Sequence, residues 1–403
     1  MKIKMQNWNL LLFIFYLVFL AVGICSVAVL RPVGGSVWRL VSGQYNNQEA
    51  KSTIESAVTD ELTYHDAMIN LNGFKEKLFG TRVILKDDAM IVKSDSGSLV
   101  DVEEIIEEAD LLSSAKLIKQ LQLVSELYEA KFLYCAAPRK VFFEKVPGNV
   151  PNHSFENYNT FLAQLNKLNV PCINLTETLK NSDYTASELF YYTDHHWTTR
   201  AGFLAAEAIC EALSEHNRFD YCEQYYDLNQ YDKMTYYDWF LGSWGKKVGA
   251  FFSSHGADDF ELILPKFPTD LTVEQPFKKD VREGCFENTI LYMEYLKKDY
   301  YRINTYATYS GGDFRLQIIR NNLNREGAKI VVVRDSFACV VTPFLALHVG
   351  ELHVCDVRDG DFYIGDKLDM EKYIERVRPD YVLVLYTGVD LPSSSRYDFF
   401  QKR

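Results

Sequence analysis

The order of hydrophobic and polar positions along the chain predicts short buried strands that alternate with helices. The strand-like runs are continuously apolar, and each is followed by a segment in which apolar residues recur at helical spacing. The strand-like runs are residues 130–137, 169–175, 328–336, 351–357 and 380–386. The helical segments are residues 102–129, 156–168, 198–216, 337–348 and 370–377. This alternation predicts an α/β domain in which a parallel sheet is covered by helices on both faces.

The N-terminal part of the chain has a different pattern. Residues 8–30 contain no charged side chain, and about 20 apolar residues suffice to span a bilayer. Lys2 and Lys4 precede this stretch, and positive charge favours the cytoplasmic side of a membrane. We therefore expect residues 1–31 to be a single-pass anchor in the cell membrane, with the N-terminus cytoplasmic and the rest extracytoplasmic. A cleaved signal peptide is the alternative.

The remainder of the chain is predicted to form one domain behind a connector. Residues 32–70 are polar with weak helical character, and we interpret them as the connector. The α/β domain then spans residues 71–403. Residues 73–94 contain two short strand-like runs around Lys-Asp-Asp. Residues 217–300 are rich in Tyr and Asp and lack a clear period, which predicts an irregular insertion.

Composition narrows the functional classes. The chain is 47% hydrophobic and 14% aromatic, so a sizeable core is available, and its net charge is −12. That charge argues against nucleic-acid binding, which needs a basic face. No Cys-x-x-Cys occurs among the eight cysteines, so a zinc ribbon has no support. Cys135, Cys339 and Cys355 fall in apolar runs, where buried cysteines act as small hydrophobes.

The segment Tyr-Tyr-Thr-Asp-His-His-Trp-Thr-Thr, residues 191–199, carries the main candidate chemistry. If the segment is extended, Asp194 and His196 lie on the same side and His195 points away. Ser336 stands between a strand and a helix, where a side chain and unpaired backbone N–H groups are exposed at the sheet edge. A serine nucleophile needs a base, and the base needs an orienting acid. Asp194 and His196 are of the right types for both roles.

Two other interpretations stay open. Asp335 or Ser336 can cap the helix that follows, and Asp194 can cap the helix predicted at residues 198–216. The tandem histidines can alternatively bind a metal ion together with carboxylates that are distant in the sequence.

The two segments together match a known pattern. Asp-His-His-Trp at residues 194–197, followed by Val-Val-Val-Arg-Asp-Ser-Phe-Ala at residues 331–338, resembles the DHHW family. That family is similar to the alginate O-acetyltransferase proteins of the SGNH-hydrolase-like superfamily, in which Asp-x-His precedes the serine. Residues 242–249, 258–267 and 309–313 also look like family segments. The likeness covers about residues 70–390.

The resemblance implies a fold and a set of site residues. The fold is an SGNH-hydrolase-like three-layer α/β/α arrangement with a mainly parallel sheet, and the triad is Ser336, His196 and Asp194. For the oxyanion site, our own candidates beside the Ser336 N–H are Arg139 or Lys140, in the loop after the first of the apolar strands, and Tyr386, at the end of the last. The alternative for Arg139 and Lys140 is a solvated loop after a strand. No metal or cofactor is expected.

The resemblance also implies an activity. We expect an acyltransferase that moves an acetyl group, through an acyl-serine, onto a sugar hydroxyl of a cell-surface polysaccharide, often beside a membrane-bound O-acyltransferase. A carbohydrate esterase with the same triad is one alternative. A non-catalytic scaffold that binds polysaccharide or a membrane partner is another.

Overall fold

The computed structural model describes residues 65–86, 89–214, 219, 221–360 and 363–400, with the isolated residues 17, 35, 38, 39 and 42. Apart from residue 17, the predicted anchor therefore lies outside the described residues, as does most of the predicted connector. Within the described part, no helix is both long and apolar enough to cross a membrane. The chain divides into two compact units, residues 1–80 and residues 81–403. The described part of the first unit includes helix α1, His65–Leu78.

The second unit contains most of the regular structure among the described residues. Its strands are β1 Val83–Lys86, β2 Ala89–Lys93, β3 Leu99–Asp101, β4 Lys131–Ala137, β5 Cys172–Asn174, β6 Tyr231–Phe240, β7 Asp258–Pro265, β8 Leu271–Gln275, β9 Asp280–Gly284, β10 Leu316–Asn321, β11 Lys329–Arg334, β12 Glu351–Cys355 and β13 Tyr381–Thr387. Its α-helices are α2 Glu108–Leu127, α3 Ser154–Lys167, α4 Leu175–Lys180, α5 Ala186–Leu189, α6 Thr199–Ser214, α7 Ser243–Val248, α8 Phe286–Ile290, α9 Thr342–Leu345 and α10 Met370–Val377. Short 3-10 helices occupy Lys140–Phe143, Glu223–Tyr226, Leu228–Gln230, Met293–Tyr295, Thr305–Thr308, Ser336–Val340 and Ser395–Tyr397.

The central sheet has eight strands in the order β5-β4-β13-β11-β12-β10-β8-β9. The first five are mutually parallel, and they are the five apolar runs predicted from the sequence. The last three are antiparallel, so the sheet is mixed where a mainly parallel one was expected. The alternating burial of β8 explains the difference, because a half-exposed strand lacks the continuous apolar character that marks a parallel one.

The two faces of the sheet are covered by different helices. Along β11, Ile330 and Val332 pack in one core with α6, while Val331 and Val333 pack in the other with α2, α3 and α10. Burying a side chain of this size contributes about 1.5–3 kcal/mol relative to leaving it exposed. The layered α/β arrangement predicted from the sequence is thus confirmed.

Two local predictions are wrong. Residues 217–300 are not irregular, because they contain the β6–β7 ribbon and the strands β8 and β9 that extend the central sheet. The helix expected over residues 337–348 is broken into a 3-10 turn, Ser336–Val340, and the short α9. Pro343 lies in the first turn of α9, the helix position that tolerates a missing N–H.

Candidate active site

Ser336 lies directly beyond the carboxyl end of the central strand β11. Asp335 caps the turn that follows, because its Oδ1 accepts a hydrogen bond from the Phe337 N–H at 3.0 Å. Its Oδ2 accepts from the Thr387 N–H at 2.8 Å, which ties the turn to the end of β13. The capping role proposed for either residue therefore falls to Asp335, and the Ser336 hydroxyl is available for another partner.

The structure brings Ser336, His196 and Asp194 together. Oγ of Ser336 lies 2.7 Å from Nε2 of His196, and Nδ1 of His196 lies 2.5 Å from Oδ1 of Asp194. A carboxylate only accepts, so Nδ1 carries the proton and Nε2 accepts from the serine hydroxyl. The imidazole ring is held between partners: it stacks on the Tyr306 ring with centroids 4.1 Å apart. This chain of hydrogen bonds has the connectivity of a nucleophile, a base and an orienting acid.

Asp194 is held as a carboxylate although its side chain is buried. Burial alone raises the pKa of a carboxyl group, but the two neighbouring imidazoles and the hydrogen bond from the Ser243 N–H outweigh it and hold the pKa of Asp194 well below its usual value. Oδ2 accepts from the Ser243 N–H at 2.6 Å and from the Ser243 hydroxyl at 3.0 Å. A permanent anion at this position is suited to stabilise an imidazolium on His196.

Lys140 fixes the loop that carries Asp194 and His196. Its ammonium donates to the carbonyl oxygens of Tyr191 at 2.8 Å and Asp194 at 2.6 Å, with a longer bond of 3.3 Å to that of Tyr192. Burial lowers the pKa of Lys140 to about 8, against the opposing effect of the Asp258 and Asp194 carboxylates. The contacts of this ammonium group position the loop.

Two of the other family-like segments, residues 242–249 and 258–267, pack against the same loop. The Asp258 carboxylate accepts from the Thr193 N–H at 2.9 Å and from the Thr193 hydroxyl. Gly242 precedes α7 and donates its N–H to the Thr193 hydroxyl at 2.8 Å. A Cβ added at Gly242 would lie 2.2 Å from Cβ of Asp194, so only glycine permits this approach. These contacts from residues 242–249 and 258–267 therefore hold the loop that carries Asp194 in place.

The alternative roles of the motif can be compared with the same geometry. Thr198, and not Asp194, caps α6, because its hydroxyl accepts from the Ala201 N–H at 3.3 Å. Asp194, His195 and His196 place possible metal-ligating atoms within 4.8 Å of one another. However, Asp194 Oδ1 and Nδ1 of His196 bond each other at 2.5 Å, and Nε2 of His196 bonds Ser336. The arrangement therefore fits proton transfer better than metal binding.

A cleft of about 230 Å³ opens above Ser336. It is lined by Asp101, Arg139, Lys140, His195, Trp244, Asp335, Ser336, Phe337, Arg358, Thr387 and Arg396. Four of these side chains are basic and two are acidic, so the cleft is more positive than the chain as a whole. A larger cleft of about 1310 Å³ includes Lys131 and Tyr381, at the amino ends of β4 and β13, and contains no triad residue. Sites in such sheets form at the carboxyl ends of strands, which favours the cleft at Ser336.

The predicted oxyanion residues lie in different surroundings. Arg139 lines the cleft and forms ion pairs with Asp101 and Glu103. Lys140 also lines the cleft, but its ammonium bonds the loop carbonyls described above. Tyr386 does not line the cleft: its ring packs in the core on the α2 side and its hydroxyl donates to the Arg396 carbonyl at 2.7 Å. Of the three, Arg139 is best placed to act in the cleft.

A buried charge network behind Ser336 was not predicted from the sequence. Arg334 is fully buried and donates to Asp313 at 2.7 Å, and Arg358 donates to Asp313 at 3.2 Å and to Asp356 at 2.7 Å. Asp313 belongs to the family-like segment at residues 309–313. The sequence did contain a signal for this network, because Arg334 ends a continuously apolar strand. A cation that is buried with such a strand needs charged partners.

Comparisons with known proteins agree with this geometry. Residues 101–233 match the family model described as SGNH hydrolase-like domain, acetyltransferase AlgX. Bacillus cereus PatB1 is 21% identical, with a TM-score of 0.61 over 77% of this chain and 99% of that chain. A DHHW family protein from Eubacterium siraeum is 18% identical, with a TM-score of 0.57 over 79% of this chain and 98% of that chain.

At these identities the solved structures establish a shared fold. A search of curated proteins finds no match. The likeness predicted from the sequence, to the DHHW family and the SGNH-hydrolase-like acetyltransferase proteins, is confirmed.

Proposed function

We propose that this protein is an O-acetyltransferase that uses Ser336 as nucleophile, His196 as general base and Asp194 as orienting acid. The single observation that carries the proposal is the continuous hydrogen-bond chain from Ser336 Oγ through His196 to Asp194, with links of 2.7 and 2.5 Å. General acid–base catalysis requires contacts of this length. The acetyltransferase named in the matching family model supports the choice of acyl group.

The first step transfers the acetyl group to the enzyme. Oγ of Ser336 forms a bond to the carbonyl carbon of the donor while its proton moves to Nε2 of His196. The carbonyl oxygen becomes an oxyanion, beside the Ser336 N–H at the start of a helical turn and the Arg139 guanidinium in the cleft. Collapse of this intermediate breaks the bond to the leaving group, which takes the proton from His196.

The second step transfers the acetyl group to the acceptor. A hydroxyl of the acceptor gives its proton to Nε2 of His196 and attacks the carbonyl carbon of acetyl-Ser336. The bond between the acyl carbon and Oγ then breaks, and Ser336 regains a proton from His196. Asp194 stabilises the imidazolium in both steps because it stays ionised.

The resemblance to the alginate O-acetyltransferase proteins supports a cell-surface polysaccharide as acceptor. On the same basis we propose that the catalytic domain is extracytoplasmic, held by residues 8–30, and that a membrane-bound O-acyltransferase supplies the acyl group. The cleft does not separate this function from a carbohydrate esterase, since water and a sugar hydroxyl differ only as acceptors.

The first test is a competition assay with full-length protein in detergent, p-nitrophenyl acetate as donor, and chitopentaose or cellopentaose as acceptor. Acetylated oligosaccharide is expected from the wild type. Ser336→Ala should lower the rate by at least about 10³-fold, as loss of a triad member does. Ser113→Ala is the matched control, because Ser113 is half-buried and its hydroxyl bonds only its own helix in the described structure.

The outcomes separate the alternatives. Free acetate without acetylated sugar would favour the esterase. Unchanged polysaccharide acetylation in cells that carry Ser336→Ala at normal protein level would favour the non-catalytic scaffold.

A further inference from the structure

His195 lies beside the triad and lines the cleft. Its ring lies against that of His196 with centroids 3.8 Å apart and the ring planes tilted by 36°, and its side chain is 35% exposed. The expectation that this side chain points away from the site is wrong, because residues 192–196 form bends and not a strand. The triad chemistry uses only His196, so the second imidazole in the cleft needs a separate explanation.

The hydrogen bonds of Ser243 determine which nitrogen of His195 carries the proton. Nδ1 of His195 lies 2.8 Å from Oγ of Ser243, and that Oγ lies 3.0 Å from Oδ2 of Asp194. A hydrogen bond to a carboxylate is roughly twice as strong as a neutral one, so the Ser243 proton goes to Asp194. Ser243 Oγ therefore accepts from His195, and Nδ1 carries the proton.

Nε2 of His195 is then a hydrogen-bond acceptor. Burial, with the nearby His196, lowers the pKa of His195 to about 4, so the ring is neutral at physiological pH. Among the residues that the structure describes, Nδ1 has Ser243 as its partner and Nε2 bonds none. Nε2 of His195 is thus an acceptor on a residue that lines the cleft, and its ring lies 3.8 Å, centroid to centroid, from the imidazole that bonds Ser336.

We propose that Nε2 of His195 selects acceptors in which a second hydrogen-bond donor stands next to the hydroxyl that is acetylated. The reacting hydroxyl has one proton, which goes to His196, so His195 needs a different donor. A vicinal hydroxyl, or an amide N–H on the adjacent carbon, meets this requirement. The short distance between the two rings suits donors on neighbouring atoms. This inference rests on the proposed transferase function and specifies the acceptor class as vicinal diols and amido alcohols.

The test uses two small acceptors, of which only one has a hydrogen-bond donor next to the reacting hydroxyl. Ethylene glycol has a free second hydroxyl, and 2-methoxyethanol has that hydroxyl methylated. With p-nitrophenyl acetate as donor and full-length protein, wild-type kcat/KM is expected to favour ethylene glycol by about tenfold per hydroxyl. The preference should disappear in His195→Phe, which keeps an aromatic ring but has no acceptor. His195→Gln, whose carbonyl can accept, should restore part of it.

Selectivity is measured as the ratio between the two alcohols, so any common loss of triad activity cancels. Should His195→Phe fail to fold, the His195→Gln ratio is compared with the wild type instead, and a smaller preference is expected. Equal transfer to both alcohols by the wild type, or a preference that persists in His195→Phe, overturns the inference and leaves the transferase function standing. Hydrolysis alone, with neither alcohol acetylated, overturns both.

Discussion

Asp194 determines which nitrogen of His196 is available to Ser336. Its Oδ1 accepts the Nδ1 proton, while Oδ2 is saturated by the two Ser243 groups. In Asp194→Asn an amide N–H can face Nδ1, which would reverse the tautomer and leave Nε2 unable to take the serine proton. We expect the acylation rate to fall by about 10³- to 10⁴-fold, as in other Ser-His-Asp enzymes. The rate of the initial burst of p-nitrophenol release measures this acylation rate.

The control for this substitution is Asp259→Asn. Asp259 follows Asp258, which holds the Asp194 loop through Thr193. However, Asp259 is exposed and accepts only from the Asp238 N–H within the described structure. The p-nitrophenol burst of Asp259→Asn should match that of the wild type. An Asp194→Asn burst within about tenfold of the wild type would show that His196 does not depend on this carboxylate.

Lys140 makes a separate prediction about pH. Its pKa is about 8 in the folded protein and 10.5 for an ordinary lysine, so the unfolded chain binds more protons between those values. The free energy of unfolding contributed by Lys140 therefore rises with pH across this window. Relative to Lys140→Met, the wild type should gain up to about 3 kcal/mol between pH 8 and pH 10.5. Urea unfolding at both pH values measures the difference.

Lys145→Met provides the comparison, because the Lys145 side chain is 86% exposed and its ion pair with Asp95 is long at 3.8 Å. It should change stability by less than about 0.5 kcal/mol at either pH. A Lys140→Met deficit that does not widen with pH would contradict the assignment of a low pKa to this buried cation.

Sequence patterns pointed to the three residues of the proposed triad but not to the geometry that joins them. Alternation along a strand was the reason to place Asp194 and His196 together, yet residues 192–196 form bends. Their contact depends on Lys140, Gly242 and Asp258, which come from other parts of the chain. The same bends turn His195 into the cleft, so its position could not follow from a local period.

At the scale of elements, the junction between β6 and α7 positions Asp194, the acid of the proposed triad. Gly242 sits there, and its missing side chain lets the Asp194 backbone approach. Gly242→Ala would place Cβ 2.5 Å from Cα of Asp194 and 2.6 Å from its N, so the backbone must shift. Small displacements of catalytic groups cost about 10²-fold in rate. We expect such a fall in the acylation burst.

Gly148→Ala is the matched control, since a Cβ at Gly148 meets nothing within 4 Å. It should leave the acylation burst at the wild-type level. If Gly242→Ala is as active as Gly148→Ala, the close approach at Asp194 has no catalytic importance.

Elements with a uniform hydrophobic pattern were the most predictable from the sequence. All five parallel strands were found. Four of them, β4, β11, β12 and β13, are largely apolar because both of their faces are buried, whereas β5 is an exposed edge strand. β8 and β9 were missed because they alternate or are largely polar, as expected where a strand packs on one side only. The break before α9 follows from Pro343, a local signal that the apolar run concealed.

At the scale of the whole molecule, the sheet brings together residues 140 positions apart. The strand order places β11 beside β13 and β12, while the loop with His196 comes from the chain between β5 and α6. This long-range closure could be predicted only through the family resemblance, because no local pattern encodes it. The three-layer arrangement then holds the serine turn and the histidine loop at one end of the sheet.

Trapping of the acyl-enzyme tests most directly whether Ser336 is the nucleophile that His196 activates. Full-length protein is mixed with p-nitrophenyl acetate, quenched in acid during the burst and examined by peptide mass spectrometry. We predict one acetyl group on the peptide that contains Ser336, its absence in Ser336→Ala, and much slower formation in His196→Ala. An acetyl group that forms at the same rate in Ser336→Ala, or that maps to another residue, would contradict the triad.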